Sequence, residues 1–138
     1  MADQQRAIRK HLLSWYQKER RELPWRKTKD PYRIWISEIM LQQTQVSTVI
    51  PYYEKWVKAF PSITDLAKAP LSRVLKLWEG LGYYRRARML HRAVRLVMRS
   101  MKGKIPGSAA ELIKLPGIGR YTAGAIASIA FEEKAPLS

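Results

Sequence analysis

The strongest constraint on the fold is a succession of helix-length apolar patterns separated by prolines and glycines. Apolar side chains recur every three or four residues, and no alternating run long enough for a strand is present. Gly80 is a typical C-terminal helix stop, and Ser108 is a typical N-cap. The pattern predicts an all-α domain. Helices are expected at residues 3–19, 32–41, 46–59, 63–68, 71–79, 84–101, 109–114 and 121–131.

Charge points to the class of partner. The 138 residues contain 26 Lys and Arg against 11 Asp and Glu, for a net charge of +15. No acidic residue occurs between Gly80 and Ala110, whereas a solvated helix normally mixes both signs. This excess favours a nucleic acid, with a merely solubilising or ribosome-adjacent surface as the alternative. The basic residues of this stretch are Arg85, Arg86, Arg88, Arg92, Arg95, Arg99, Lys102 and Lys104.

The composition also bears on the compartment. The chain has no cysteine, which excludes disulfides and thiolate metal sites and is typical of a reducing cytosol. Its apolar runs are far shorter than the roughly 20 residues that a membrane span needs, so no membrane partner is expected. The polar N-terminus lacks the apolar core of a signal peptide. We therefore expect a cytoplasmic protein associated with the nucleoid.

The segment LPGIGRYTAG predicts a helix-hairpin-helix at residues 112–125. Gly117 and Gly119 interrupt one helix and can adopt positive φ, and Arg120 and Thr122 open the next helix. Unpaired N–H groups at that helix start would bind a phosphate without reading sequence. The alternative is an ordinary tight turn between two helices.

Two aromatic segments are candidate base contacts. GLGYYRR places Tyr83 and a second tyrosine beside arginines on a glycine-containing turn, as stacking on bases or wedging between them requires. LPWR offers the ring of Trp25 between the guanidinium groups of Arg21 and Arg26. Tyrosine and tryptophan are also common core residues, and the sequence leaves that alternative open for both segments.

The segment WISEIMLQQTQV carries the candidate acid. Glu38 lies among apolar residues of one helix, so burial should disfavour its charged form and raise its pKa. A carboxyl group tuned in this way can act as a general acid. The alternative is a helix glutamate paired with Arg33. Gln42, Gln43 and Thr44 then form a polar tip suited to base edges, although Thr44 could instead cap the next helix.

Taken together, these motifs resemble the MutY family of adenine DNA glycosylases, within the helix-hairpin-helix superfamily that includes endonuclease III. The resemblance implies a six-helix barrel at residues 23–132, an N-terminal helix at 1–22 that packs on a second domain, and a linker at 133–138. It also implies a double-stranded DNA substrate containing adenine mispaired with 8-oxoguanine or guanine, from which adenine is flipped and removed. The matching segments are LPWR, DPYRIWISEIMLQQTQV, IPYYEKW, FPSITDLAKAP, LWEGLGYYRRARMLHRA and LPGIGRYTAGAIASIA.

The resemblance also implies a role for each site residue. Glu38 would protonate the extruded adenine at N7. Tyr121 stands where bifunctional relatives carry a nucleophilic lysine, which implies a monofunctional enzyme, although G:T-specific thymine glycosylases can also have tyrosine there. The adenine pocket would comprise Arg21, Leu23, Trp25 and Arg26. Contacts around the lesion pair would come from Gln42, Gln43, Thr44, Leu81 and Tyr83. DNA-backbone contacts are expected from Gly117, Gly119, Arg120, Thr122, Arg85, Arg86 and Arg88.

The sequence departs from the family pattern at its end. In the family an aspartate that stabilises the sugar cation follows shortly after the position of Ser138. The family's [4Fe–4S] domain with its four cysteines, and the domain that reads 8-oxoguanine, have no counterpart here. We therefore expect no cofactor in this fragment, weak or absent excision, and self-association through the helix at residues 1–22. A non-catalytic helix-hairpin-helix DNA-binding module remains the alternative.

Overall fold

The prediction of an all-α fold is confirmed. The computed structural model describes residues 23–132, except the side chains of Arg26 and Lys27, and every regular element in this part of the chain is helical. The helix predicted at residues 3–19 lies outside the described residues. After a short 3-10 turn at Pro24–Lys27, the described part contains α1 (Pro31–Leu41), α2 (Val46–Ala59), α3 (Ile63–Lys68), α4 (Leu71–Trp78), α5 (Tyr84–Ser100), α6 (Ala109–Leu112) and α7 (Arg120–Phe131).

Local capping sets several helix boundaries. The side chain of Asp30 accepts a hydrogen bond of 3.0 Å from the backbone N–H of Tyr32 and so begins α1. Ser108 accepts from the backbone N–H of Glu111 at 3.2 Å, which confirms its predicted capping of α6. That helix ends at Leu112, two residues earlier than predicted, because the chain turns there towards the hairpin.

The core is organised around α1, which packs between α2 and α7. Its apolar side chains point in all directions, and Trp35, Ile36 and Met40 are fully buried. An aromatic cluster joins α2 to α4: the ring of Trp56 meets those of Phe60 and Trp78 edge-on, at centroid distances of 5.2 and 5.8 Å. The helix whose apolar residues surround Glu38 in the sequence therefore lies at the centre of the fold.

Two buried polar side chains connect helix ends to the core. The hydroxyl of Tyr32 donates to the carbonyl oxygen of Phe60 at 2.8 Å, joining α1 to the end of α2, and burial raises the pKa of this tyrosine. The Nε2–H of His91 donates to the carbonyl oxygen of Ala69 at 2.8 Å, joining α5 to the end of α3. Both bonds satisfy carbonyls that would otherwise be buried without a partner.

Arg86 closes the C-terminal end of α1 from the first turn of α5. Its Nη1 donates to the carbonyl oxygens of Ile39, at 2.7 Å, Met40, at 3.4 Å, and Gln42. These are carbonyls that the helix itself leaves unsatisfied, at its negative end. The guanidinium also stacks on Trp78, at 5.1 Å from the ring centroid. Its burial lowers the pKa of Arg86.

The contacts of Arg86 predict a stability effect. Arg86→Met keeps a long side chain against Trp78 but removes every donor, so the carbonyls at the end of α1 lose their partner. We expect a loss of about 2–3 kcal/mol in the free energy of unfolding, measured by urea denaturation. Arg85→Met is the matched control, because Arg85 is exposed and its replacement should change stability by less than about 0.5 kcal/mol. Equal losses in the two variants would contradict the capping role.

Candidate nucleic-acid interface

The polar tip after α1 is held by side-chain bonds that the sequence did not predict. The Nε2 of Gln42 donates to the hydroxyl of Thr122 at 3.1 Å, which ties the tip to α7. Thr122 is only 2% exposed, and its hydroxyl is engaged in this bond, while its predicted contact with the DNA backbone stays a prediction. Gln43 is exposed and adopts a left-handed conformation with φ of 59°. Of the two glutamines, Gln43 is thus the one presented to solvent.

The structure does not give Thr44 a capping role. The N-cap of α2 is Gln45, which makes no side-chain capping bond. The hydroxyl of Thr44 instead donates to the carbonyl oxygen of Gln42 and accepts from Nη2 of Arg86, both at 3.4 Å. Thr44 therefore helps to hold the tip in place.

The tyrosine turn, residues 79–83 between α4 and α5, exposes the ring of Tyr83, and Tyr84 at the start of α5 is exposed as well. Gly80, Gly82 and Tyr83 have φ of 101°, 76° and 51°, so the chain runs through three left-handed positions. Tyr83 is 64% exposed, which places it outside the core, and its ring lies 5.5 Å from the Arg86 guanidinium. Leu81 is 7% exposed and packs into the core, so its side chain is covered in this structure.

The hairpin before α7 has the features expected of a phosphate cradle. Gly117 has φ of 78°, and a Cβ there would lie 2.7 Å from Cβ of Met89, so only glycine allows the hairpin this close to α5. Gly119 is the N-cap of α7 and has an extended backbone, although the sequence also allowed a positive φ there. No side chain caps this helix. Arg120 and Tyr121 are exposed beside it.

These three segments meet in space. The tip, the tyrosine turn and the hairpin surround a cavity of about 270 Å³ at the end of α1. They are far apart in the chain, and α1, α5 and α7 bring them together. The lining residues are Ile39, Gln42, Gln43, Tyr83, Arg85, Arg86, Met89, Leu90, Pro116 and Gly117.

The structure describes only part of the predicted adenine site. Glu38 is half-buried on α1, directly before the cavity-lining Ile39. Leu23 is buried, and the ring of Trp25 meets that of Tyr53 edge-on at 5.2 Å, so this tryptophan packs against the core. Arg21 lies outside the described residues, as does the side chain of Arg26. The arrangement of these groups around a base stays a prediction.

Exposed arginines on the cavity-lining helix α5 and at the start of α7 lack acidic partners among the described residues. Arg85, Arg88 and Arg120 are exposed, and none of them takes part in an ion pair of the described residues. Those ion pairs are Lys29–Glu132, Arg33–Asp30 and Lys114–Glu111. Because their charge is not neutralised locally, these arginines are suited to polyanion binding.

The guanidinium of Arg86, a predicted DNA-backbone contact, is directed inward and donates to the carbonyls at the end of α1, so its contact with DNA stays a prediction. A signal for this inward direction was present in the sequence. Arg86 is four residues before Leu90 and seven before Ala93, both buried, whereas Arg85 and Arg88 fall on the opposite side of the helix. Helical spacing thus separates the inward arginine from its neighbours.

The described residues were also compared with what metal sites, iron–sulfur clusters and membrane-spanning helices require. Within residues 23–132 no group of three or more histidines, aspartates or glutamates could hold a metal ion. The chain has no cysteine, the residue that ligates iron–sulfur clusters, so its residues do not fit such a cluster. None of the described helices is long and apolar enough to cross a membrane.

Comparison with known sequences supports the resemblance to adenine DNA glycosylases. The chain is 52% identical to the adenine DNA glycosylase of Rattus norvegicus over 136 residues, which cover 92% of this chain and 26% of that protein. It is 54% identical to the enzyme of that name from Buchnera aphidicola subsp. Baizongia pistaciae, covering 87% of this chain and 34% of that protein. The chain thus spans about a quarter to a third of the length of these curated relatives.

Solved structures show the same fold. A thermostable thymine-DNA glycosylase superposes with a TM-score of 0.79 at 32% identity, covering 96% of this chain and 61% of that one. An endonuclease III in a non-covalent DNA complex gives a TM-score of 0.71 at 23% identity, covering 92% and 60%. Residues 36–134 match the family model described as HhH-GPD superfamily base excision DNA repair protein. The chain belongs to this superfamily of base excision DNA repair proteins.

Proposed function

We propose that the chain is the base-excising domain of an adenine DNA glycosylase that acts on adenine opposite 8-oxoguanine or guanine in duplex DNA. One observation carries the proposal: the tip, the tyrosine turn and the hairpin meet at one cavity, at the end of the helix that bears Glu38. The relatives named adenine DNA glycosylase support the choice of base. Such a substrate would place the protein at chromosomal DNA.

DNA would be held through its backbone and opened at the lesion. We propose that Arg85, Arg88 and Arg120 contact phosphates, and that the uncapped N–H groups at the start of α7 bind one more. Tyr83 and Gln43 are exposed side chains at left-handed backbone positions, so each is accessible to a base stack. These two residues are our candidates for the wedge at the mismatch.

Base removal would begin with the transfer of a proton from Glu38 to the flipped adenine. A flipped adenine leaves more readily when Glu38 protonates its N7, because the electrons of the breaking glycosidic bond then neutralise a cationic base instead of forming an anion. Water adds to the sugar carbon and loses a proton, which completes the hydrolysis. Tyr121 has no amine with which to form a Schiff base, so we propose glycosylase activity without strand cleavage.

A second candidate function is supported by a specific structural likeness. The thymine-DNA glycosylase shares the fold at a TM-score of 0.79 and at 32% identity. Removal of thymine from G:T mismatches would use the same wedge and backbone contacts. The base that is released therefore distinguishes the two candidates.

Binding should depend on salt in a way that identifies the phosphate contacts. For a 20-base-pair duplex containing A:8-oxoguanine, replacing Arg85, Arg88 or Arg120 by alanine should make the slope of log K against log salt less negative by about 0.9 each. Fluorescence anisotropy between 50 and 300 mM salt measures it. Arg99→Ala is the matched control, because Arg99 lies at the far end of α5 and should leave the slope unchanged. Equal changes in all four variants would contradict the assigned interface.

Excision should depend on Glu38. Because the relatives are longer, residues 1–138 are placed in the Buchnera enzyme in exchange for its matching segment. Single-turnover assays then follow base release from duplexes with A:8-oxoguanine, A:G, A:T and G:T. We expect adenine release from the first two, and a loss of at least about 100-fold in Glu38→Gln, which cannot donate an acidic proton. DNA affinity should stay within about threefold, since the shape is kept.

Controls separate the remaining explanations. Glu54→Gln changes an exposed glutamate on α2 and should leave the rate unaffected. Thymine release from G:T would favour the second candidate. Tight binding of duplex DNA without release of any base would support the alternative of a non-catalytic DNA-binding module. Unchanged adenine release by Glu38→Gln would mean that Glu38 is not the acid.

A further inference from the structure

Five arginines lie along one exposed stripe of α5. They are spaced three or four residues apart, which places them on the same side of a helix. At about 1.5 Å per residue, the stripe extends about 21 Å from its first to its last arginine. Only its beginning lies at the cavity, so the outer three arginines extend away from the candidate DNA site. The stripe consists of Arg85, Arg88, Arg92, Arg95 and Arg99.

The last two arginines, Arg95 and Arg99, border a groove between α3 and α5, which pack against each other. The groove has a volume of about 350 Å³ and opens to solvent. Its floor is apolar and adaptable: Ala67 and Met98 are half-buried, and the hydroxyl of Thr64 contacts the sulfur of Met98 at 3.8 Å. Its rim is cationic, formed by the exposed Lys68, Arg95 and Arg99.

The charge of the rim is not neutralised by the described part of the protein. Helix α5 contains no acidic residue, and none of the ion pairs within residues 23–132 includes Lys68, Arg95 or Arg99. A merely solvated face would mix both signs. The rim therefore complements an anionic partner.

We propose that this groove, lined by Thr64, Ala67, Lys68, Arg95, Met98 and Arg99, binds an acidic peptide segment of a partner protein. An apolar side chain of the segment enters between α3 and α5, and flanking carboxylates pair with the rim, where the arginine forks can bind carboxylate oxygens bidentately. A DNA backbone would match the charge but has no apolar side chain for the floor. The combination of floor and rim thus favours a peptide over a nucleic acid.

The apolar floor is tested with two fluorescent synthetic peptides of 12 residues. One has acidic residues around a central leucine, and the other has serine in place of that leucine, so their charges are equal. Anisotropy titrations at 150 mM salt should show the leucine peptide binding at least about tenfold more tightly, as expected for burying one such side chain. Equal affinities would mean that only net charge is recognised and would overturn the proposal.

The cationic rim is tested with charge-reversed variants. The double variant Arg95→Glu with Arg99→Glu should bind the leucine peptide at least about tenfold more weakly than the unmutated protein does. The control double variant Lys55→Glu with Lys58→Glu, at exposed positions of α2, makes the same change in net charge. Its affinity for the leucine peptide should fall less than threefold. Both double variants should affect duplex affinity equally. A selective loss of duplex binding in the α5 variant would instead mark the groove as part of the DNA interface and overturn the proposal.

Folding is checked separately for each variant. Circular dichroism and thermal unfolding should be unchanged, because all four substituted residues are exposed. If charge reversal unfolds the protein, Arg95→Gln with Arg99→Gln removes the charges more gently and should still weaken the leucine peptide by at least about threefold. Unchanged affinity in that folded variant would overturn the proposal.

Discussion

The hydrogen bonds from Arg86 to the end of α1 are the interaction on which the candidate site most depends. A helix leaves its last carbonyls without internal partners, and here those carbonyls meet a half-buried guanidinium. The same group also bonds to Thr44 and lies against Trp78 and Tyr83. One side chain thus links α1, the polar tip and the tyrosine turn.

That linkage explains how a central helix can also carry a site. The apolar residues of α1 are buried on all sides, so the helix is held by its packing against α2 and α7. The residues to which we assign chemistry are Glu38 and those of the tip, where the bond from Gln42 to Thr122 adds a second attachment. A helix buried in this way suits the acid that we propose, which would have to meet a flipped base in one geometry, since small misplacements reduce rates strongly.

Helix α5 uses its arginines in two different ways. Arg86 points inward and stabilises the protein, whereas the exposed stripe on the opposite side has no acidic partner among the described residues. The beginning of the stripe adjoins the cavity and its far end adjoins the groove on α3. In our two proposals, this one basic helix contributes to DNA binding and to partner binding at opposite ends, about 20 Å apart.

The sequence by itself determined the all-α class, the ranges of α2 and α3, the cap at Ser108 and the family, because periodicity, caps and motifs are local. It also singled out the segments that meet at the cavity. Only the tertiary structure decided what their side chains contact. The bonds that Arg86 and Thr122 make within the protein were not predicted, because their partners are side chains and carbonyls 40 to 80 residues away. Such bonds depend on how α1, α5 and α7 pack, which no local pattern specifies.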